Sequence, residues 1–164
     1  MRTFSAFLLM SLASATGALE SDFSQEVLLS SDGNTRMSIS GETRFVELND
    51  NVKVTQGSLT IEGDFARVEY NMTSGEVEKV TVTGSPVHYS QQLNSDGDSV
   101  TGSSETLMLY TSAANQSVVE LQGSASITSP ESSMRCVSII YISELDLIQE
   151  ATGPCQGVLF APQD

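Results

Sequence analysis

The chain has 164 residues and carries 21 acidic against 7 basic side chains, a formal net charge of −14 at pH 7. This length suits a single domain. The acidic balance disfavours nucleic acid as a partner, because phosphate binding requires clustered Lys and Arg. It also disfavours adhesion to anionic lipid headgroups by charge alone.

The first 18 residues have the pattern of a secretory signal peptide. Arg2 precedes a mostly apolar run over residues 4–12, and small residues follow. This run is shorter than the roughly 20 residues that a membrane-spanning helix needs, so a cleaved leader is favoured over a membrane anchor. We expect a leader over residues 1–18 and one exported domain over residues 19–164.

Most of the remaining sequence alternates apolar and polar residues with a period of two, which indicates half-buried β-strands. Turn signals such as residues 31–34, 49–51 and 95–98 separate the alternating segments. Two such segments, around Val54 and Ile61, flank a break at Gln56-Gly57. We predict an all-β fold of many short antiparallel strands, arranged as a sandwich, roll or barrel.

An internal repeat spans the middle of the sequence. VTVTGSPVHYS at residues 80–90 resembles VELQGSASITS at residues 119–129, and Gly63 and Gly102 share the same separation. A repeat of this size indicates a supersecondary unit stacked on its neighbour. Two generic hairpins that are alike by chance remain the alternative.

No constellation of residues indicates catalysis, a metal site or a cofactor. The single histidine, His88, lies between Val87 and Tyr89, so its side chain is expected on the solvent face. No nucleophile–base pair is recognisable, and we predict that the chain is not an enzyme. Cys136 and Cys155 lack zinc-site spacing; an oxidising compartment favours a disulfide between them, with free or intermolecular thiols as the alternative.

The apolar face of the predicted strands is mainly aliphatic, with 6% aromatic residues and no tryptophan in the whole sequence. These side chains could fill the core of a closed sandwich. In an open roll they would line a groove for acyl chains, each buried CH₂ contributing about 0.8 kcal/mol. Composition does not choose between the two arrangements.

The segment NVKVTQGSLTIEGDFARVEY, residues 51–70, closely resembles the OstA-like family of periplasmic lipopolysaccharide-transport proteins. The likeness continues through GSPVHY at residues 84–89, VELQG at residues 119–123 and VLFAP at residues 158–162. It covers roughly residues 26–162. The cysteine pair and the acidic terminal Asp164 depart from the family pattern.

The resemblance implies a twisted, partly open antiparallel β-jellyroll that carries lipopolysaccharide acyl chains in a slot. It implies periplasmic copies stacked end to end between an LptC-like inner-membrane protein and an LptD-like outer-membrane protein. The stacking edges would be the strands around Val27 and Leu29 and around Val158, Leu159 and Phe160, an instance of strand addition at a sheet edge. A structural or adhesive exported domain with a filled core is the alternative function.

The resemblance and the strand pattern together predict the residues that line the slot. Both faces of Leu107-Met108-Leu109-Tyr110 are apolar, and we take Met108 and Tyr110 as inward. The complete predicted lipid-binding set is Val27, Leu29, Val52, Val54, Leu59, Ile61, Val68, Val80, Val82, Tyr89, Met108, Tyr110, Leu121 and Ile127.

Overall fold

A computed structural model describes residue 22 and residues 25–161. The predicted leader over residues 1–18 lies outside the described residues. Ten strands form the described part: β1 (Val27–Ser30), β2 (Thr35–Ser40), β3 (Thr43–Gln56), β4 (Leu59–Asn71), β5 (Glu76–Gln92), β6 (Ser99–Thr111), β7 (Ser117–Thr128), β8 (Ser132–Ile142), β9 (Leu147–Thr152) and β10 (Gln156–Leu159). A 3₁₀ turn, Ser143–Leu145, links β8 and β9. No helix within residues 25–161 is long and apolar enough to cross a membrane.

All ten strands belong to one antiparallel sheet, in the order β1-β3-β4-β5-β6-β7-β8-β10. At one edge β1 and β2 pair side by side with β3, and at the other β9 and β10 pair with β8. The predicted all-β, partly open antiparallel jellyroll is confirmed. The strand β3 is longer than the sequence suggests, because the predicted turn at residues 49–51 is a bend within it.

A line of register breaks crosses the sheet and bends it. The breaks lie after Asn49 in β3, Glu62 in β4, Thr83 in β5, Ser103 in β6 and Gln122 in β7. We call this line the crease. β-Bulges of this kind bend a strand and increase its twist. Each central strand therefore contributes one piece to either side of the crease.

The two sides of the crease are two half-sheets. Half-sheet I contains β1, β10 and residues 52–56, 59–63, 87–92, 99–104, 125–128 and 132–136. Half-sheet II contains β2, β9 and residues 43–49, 65–71, 76–83, 106–111, 117–122 and 138–142. Inward residues of both half-sheets form a single hydrophobic core.

The repeat in the sequence corresponds to this geometry. β5 and β7 lie two strands apart in the sheet and cross the crease at Gly84 and Gly123. Gly123 has a φ of 78°, a left-handed conformation that glycine adopts without steric cost. Val82 and Leu121 occupy equivalent positions in the two copies of the repeat, two residues before the glycines, and both are completely buried. The repeating unit is therefore an antiparallel pair of bent strands.

The half-sheets meet through a buried polar network on one side of the molecule, which we call the closed side. The side-chain oxygen of Gln91 in half-sheet I accepts a hydrogen bond from the Tyr89 hydroxyl (2.8 Å). It accepts another from Oγ of Ser143 (2.6 Å), the residue that follows β8 of half-sheet II. Gln91 Nε2 donates to the carboxylate of Asp22 (3.1 Å), which also accepts from the Ser58 backbone N–H (2.9 Å). Paired in this way, these polar groups can be buried at low cost.

Another hydrogen bond lies on the closed side, outside this network. The Tyr141 hydroxyl donates to Asp146 Oδ1 at 2.8 Å. Burial raises the pKa of Tyr89 and of Tyr141 far above the ordinary range of a phenol. Burial also raises the pKa of the Asp146 carboxyl, against the opposing effect of the Tyr141 hydrogen bond.

A disulfide joins Cys136 on β8 to Cys155, the residue before β10, with the two Cα atoms 4.3 Å apart. The bond ties the chain between β9 and β10 to the body of the sheet. By the chain-entropy model, closing a loop of this length contributes about 3 kcal/mol.

Replacing Gly63 at the crease with Ala is expected to destabilise the protein. An added Cβ would lie 2.6 Å from Val82 Cγ1 and 2.9 Å from the Thr83 carbonyl oxygen, so backbone must move. We expect a loss of about 1–3 kcal/mol in urea unfolding. Gly157→Ala on exposed β10, where the nearest atom is 3.2 Å from an added Cβ, should cost less than about 1 kcal/mol. Equal losses would contradict the crease as a site of close packing.

Replacing Asp146 with Asn should make stability less sensitive to pH. Because its pKa is raised in the folded state, the carboxyl favours folding below its unfolded pKa, and this contribution is lost as pH rises through the folded pKa. Asn keeps an acceptor for Tyr141 and tolerates the left-handed φ of 45°. The melting temperature of Asp146→Asn relative to the unmodified chain should therefore increase between pH 3 and pH 7. A difference that stays flat with pH for Asp146→Asn would contradict the assignment.

Candidate lipid-binding groove

Away from the buried polar network, the half-sheets enclose a groove of about 1140 Å³ between them. This volume exceeds the ~300–1,000 Å³ of typical small-molecule sites. Its aliphatic lining comes from strands β1, β3, β4, β5 and β6 of the two half-sheets. The aliphatic residues are Val27, Leu29, Val46, Val54, Leu59, Val68, Val77, Val80 and Leu109. Four of these, Val54, Leu59, Val68 and Val80, are nearly inaccessible to water and form the floor.

The walls are the half-buried residues of the groove. Val27, Leu29, Val46, Val77 and Leu109 pack against the core and keep part of their apolar surface exposed. Three of the five wall residues stand beside a floor residue in the ladder: Leu29 pairs with Val54, Val46 with Val68, and Leu109 with Val80. An aliphatic surface of this kind suits hydrocarbon chains.

The predicted lipid-binding residues divide between the groove and the closed core. Val27, Leu29, Val54, Leu59, Val68, Val80 and Tyr110 line the groove. Val52, Ile61, Val82, Leu121 and Ile127 are at most 3% exposed and belong to the core, where the half-sheets approach each other. Tyr89 is equally buried, with its hydroxyl bonded to Gln91.

Met108 was predicted to face inward, and this prediction is wrong. Leu107 pairs with Val82 and Leu121, and all three are completely buried. Since alternate residues of a strand point to opposite faces, Met108 points outward, where it pairs with Thr81 and Glu120. Tyr110 shares its parity and lies at the rim of the groove, its hydroxyl 3.2 Å from a Glu120 oxygen.

Five apolar or aromatic residues of the groove were absent from the predicted lining: Met37, Val46, Tyr70, Val77 and Leu109. Met37 and Tyr70 belong to alternating segments, so their inward parity is readable from the sequence. The parity of Val46 is not, because its neighbour Phe45 is also apolar. Val77 was concealed by a register shift between Glu69 and Tyr70, which offsets the pattern of β5 by one residue. Leu109 was concealed because it lies in a run of four apolar residues, in which alternation does not distinguish the two faces.

Charged side chains surround the mouth of the groove. Glu26, Glu76 and Glu78 line it as carboxylates, and Arg44 lines it as a cation. The guanidinium carbon of Arg44 lies 6.0 Å from the centre of the Tyr70 ring, within the range of a cation–π interaction.

A second, smaller depression of about 390 Å³ lies on the outer face of half-sheet I. His88 and Glu62 line it together with hydroxyl groups, among them Thr60, Ser90, Thr101 and Ser103. His88 is exposed, as predicted. Without an aliphatic lining, this depression does not suit an acyl chain.

The strand edges carry exposed apolar residues at both ends of the sheet. β2 is exposed along its whole length, with Met37 67% and Ile39 62% exposed. β10 is exposed in the same way, with Leu159 85% exposed, and Phe160 follows it. β1 and β10 are opposite edges of half-sheet I, and β2 and β9 are opposite edges of half-sheet II.

The structure is similar to the crystal structure of LptH from Pseudomonas aeruginosa, described as the LptA homologous periplasmic component of the conserved lipopolysaccharide transport device. The TM-score is 0.70 with 20% sequence identity, and the match covers 87% of this chain and 99% of LptH. At this identity the likeness establishes the fold. No curated protein matches the chain.

The sequence itself matches a family model over residues 34–145, well over half of the chain. The family is described as LptA/(LptD N-terminal domain) LPS transport protein. The matched region runs from the start of β2 to the end of the 3₁₀ turn and contains the crease and most of the groove. The chain belongs to this family of lipopolysaccharide transport proteins.

Proposed function

We propose that the chain carries the acyl chains of lipopolysaccharide in the groove as one link of a periplasmic bridge. The observation that carries this proposal is the aliphatic groove between the half-sheets, bounded by the edge strand β1. Burying a hydrocarbon chain there gains about 0.8 kcal/mol per CH₂. Acyl chains need no other chemistry from the site, and we propose that the protein is not an enzyme.

The two edges of the sheet support an end-to-end arrangement. Unpaired edge strands with apolar side chains are templates for pairing with another chain. β10 of one molecule would pair with β1 of the next, and β9 with β2. The groove of one copy would then continue along the stack.

Partner proteins at the two ends of the stack would use the same edges. We propose an LptC-like protein at the inner-membrane end of the stack and an LptD-like protein at the outer-membrane end, each adding a strand to one edge. The predicted leader over residues 1–18 would export the chain to the periplasm. The core and the closed side are filled with side chains, but the groove leaves aliphatic surface uncovered, which favours transport over a purely structural or adhesive domain.

Photo-crosslinking tests the groove with adjacent residues of one strand. Leu109 lines the groove, whereas Met108 points to the opposite face. A photoreactive residue at 109 should crosslink purified lipopolysaccharide, and the same probe at 108 should crosslink several-fold less. Equal yields from the two folded variants would place the lipid elsewhere.

Removal of β10 tests the stacking. A chain ending at Cys155 lacks β10 but retains both cysteines of the disulfide, whereas a control chain ending at Ala161 retains β10. Sedimentation velocity should show concentration-dependent oligomers for the control and monomers for the shorter chain, because the edge template is lost. Oligomers that persist after removal of β10 would refute pairing through this edge.

A further inference from the structure

We propose that Arg44 binds an anionic group of the lipid, a phosphate of its headgroup, at the mouth of the groove. This inference rests on the proposed function and identifies the position in the groove that meets the polar part of the ligand. Arg44 would allow the protein to distinguish phosphorylated from other acylated lipids, a distinction that the aliphatic lining cannot make.

Arg44 has an unusual position for a cation in this sheet. It lies opposite Ile39 on β2 and Tyr70 on β4, at the same inward parity as Val46 and Leu48. The other cations of the described residues occupy outward positions: Arg36, Lys53, Arg67, Lys79 and Arg135. Arg44 is therefore the cation that the described strands direct toward the groove.

The guanidinium of Arg44 is available to a ligand. The ion pairs found among the described residues join Lys53 to Glu62 and Arg67 to Glu47, and neither includes Arg44. The side chain is exposed and lies near the Tyr70 ring. Such a contact restricts the side chain without occupying its N–H donors.

The local charge pattern favours an anion at this point. The other charged groups lining the groove are the carboxylates of Glu26, Glu76 and Glu78, which repel phosphate. A phosphate would therefore be held at the Arg44 side while acyl chains extend over the floor formed by Val54, Leu59, Val68 and Val80. A planar guanidinium can donate two parallel hydrogen bonds to phosphate, which a lysine ammonium cannot.

The test compares two ligands of identical acyl composition, purified lipid A carrying its phosphates and the same lipid A after dephosphorylation. Binding of each is measured by displacement of a fluorescent fatty acid at low and high salt. Arg44→Gln should bind phosphorylated lipid A about tenfold more weakly than the unmodified chain, with less than twofold change for the dephosphorylated form. Arg44→Lys should recover part of the loss, and added salt should weaken phosphorylated lipid A only where a cation remains at position 44.

Arg36→Gln is the matched control, because Arg36 is an exposed arginine on the neighbouring strand that faces away from the groove. It should change neither affinity. An equal loss of affinity for both lipids in Arg44→Gln, or no loss for either, would overturn the assignment of Arg44. The proposed function would still stand in both cases, because the unmodified chain binds both lipids. If the unmodified chain binds neither lipid, the proposed function fails, and the inference fails with it.

Discussion

The whole structure depends on the alignment of bulges along the crease. Neighbouring strands in a sheet are tied by backbone hydrogen bonds, so a bend in one strand must be matched by a bend in the next. Here the matching breaks pass from Asn49 in β3 to Gln122 in β7. A single continuous sheet thereby supplies both walls of its own interior, and the core and the groove are two parts of the space between them.

The sequence predicts which face of the sheet most strand residues occupy. It does not predict whether an inward residue lies in the closed core or in the open groove. Alternation placed Val54, Ile61 and Val82 on the inward face, and all three are buried. Only Val54 lines the groove. The distance to the opposing half-sheet decides this difference, and it depends on pairings far apart in the chain that local periodicity does not contain.

Turn-like residues within strands had a similar effect. Residues 49–51 were expected to separate two strands, since Asn and Asp are typical of turns. In the structure the chain continues through them in β3, because Asp50 and Asn51 adopt positive φ within a bulge and not within a reversal. Met108 was misplaced because four consecutive apolar residues leave the alternation without a phase.

The acidic side chains of this protein have a consequence for its uncovered apolar groove. The chain is strongly acidic as a whole, and a high net charge of one sign keeps proteins soluble and separate. Uncovered aliphatic surface otherwise promotes association. A carboxylate-rich exterior limits unspecific contacts of the open groove, while the edge strands, with their apolar side chains, retain directional pairing through the backbone.

The disulfide has a mechanical consequence for a molecule joined to others through its edges. Tension applied along a row of such molecules would pull across the strand ladders, and β10 is held to β8 by a ladder of only four residues. The bond between Cys136 and Cys155 crosses this short seam covalently. If this ladder opened under load, the disulfide would keep β10 close to β8. The four pairs of the ladder could then re-form rapidly.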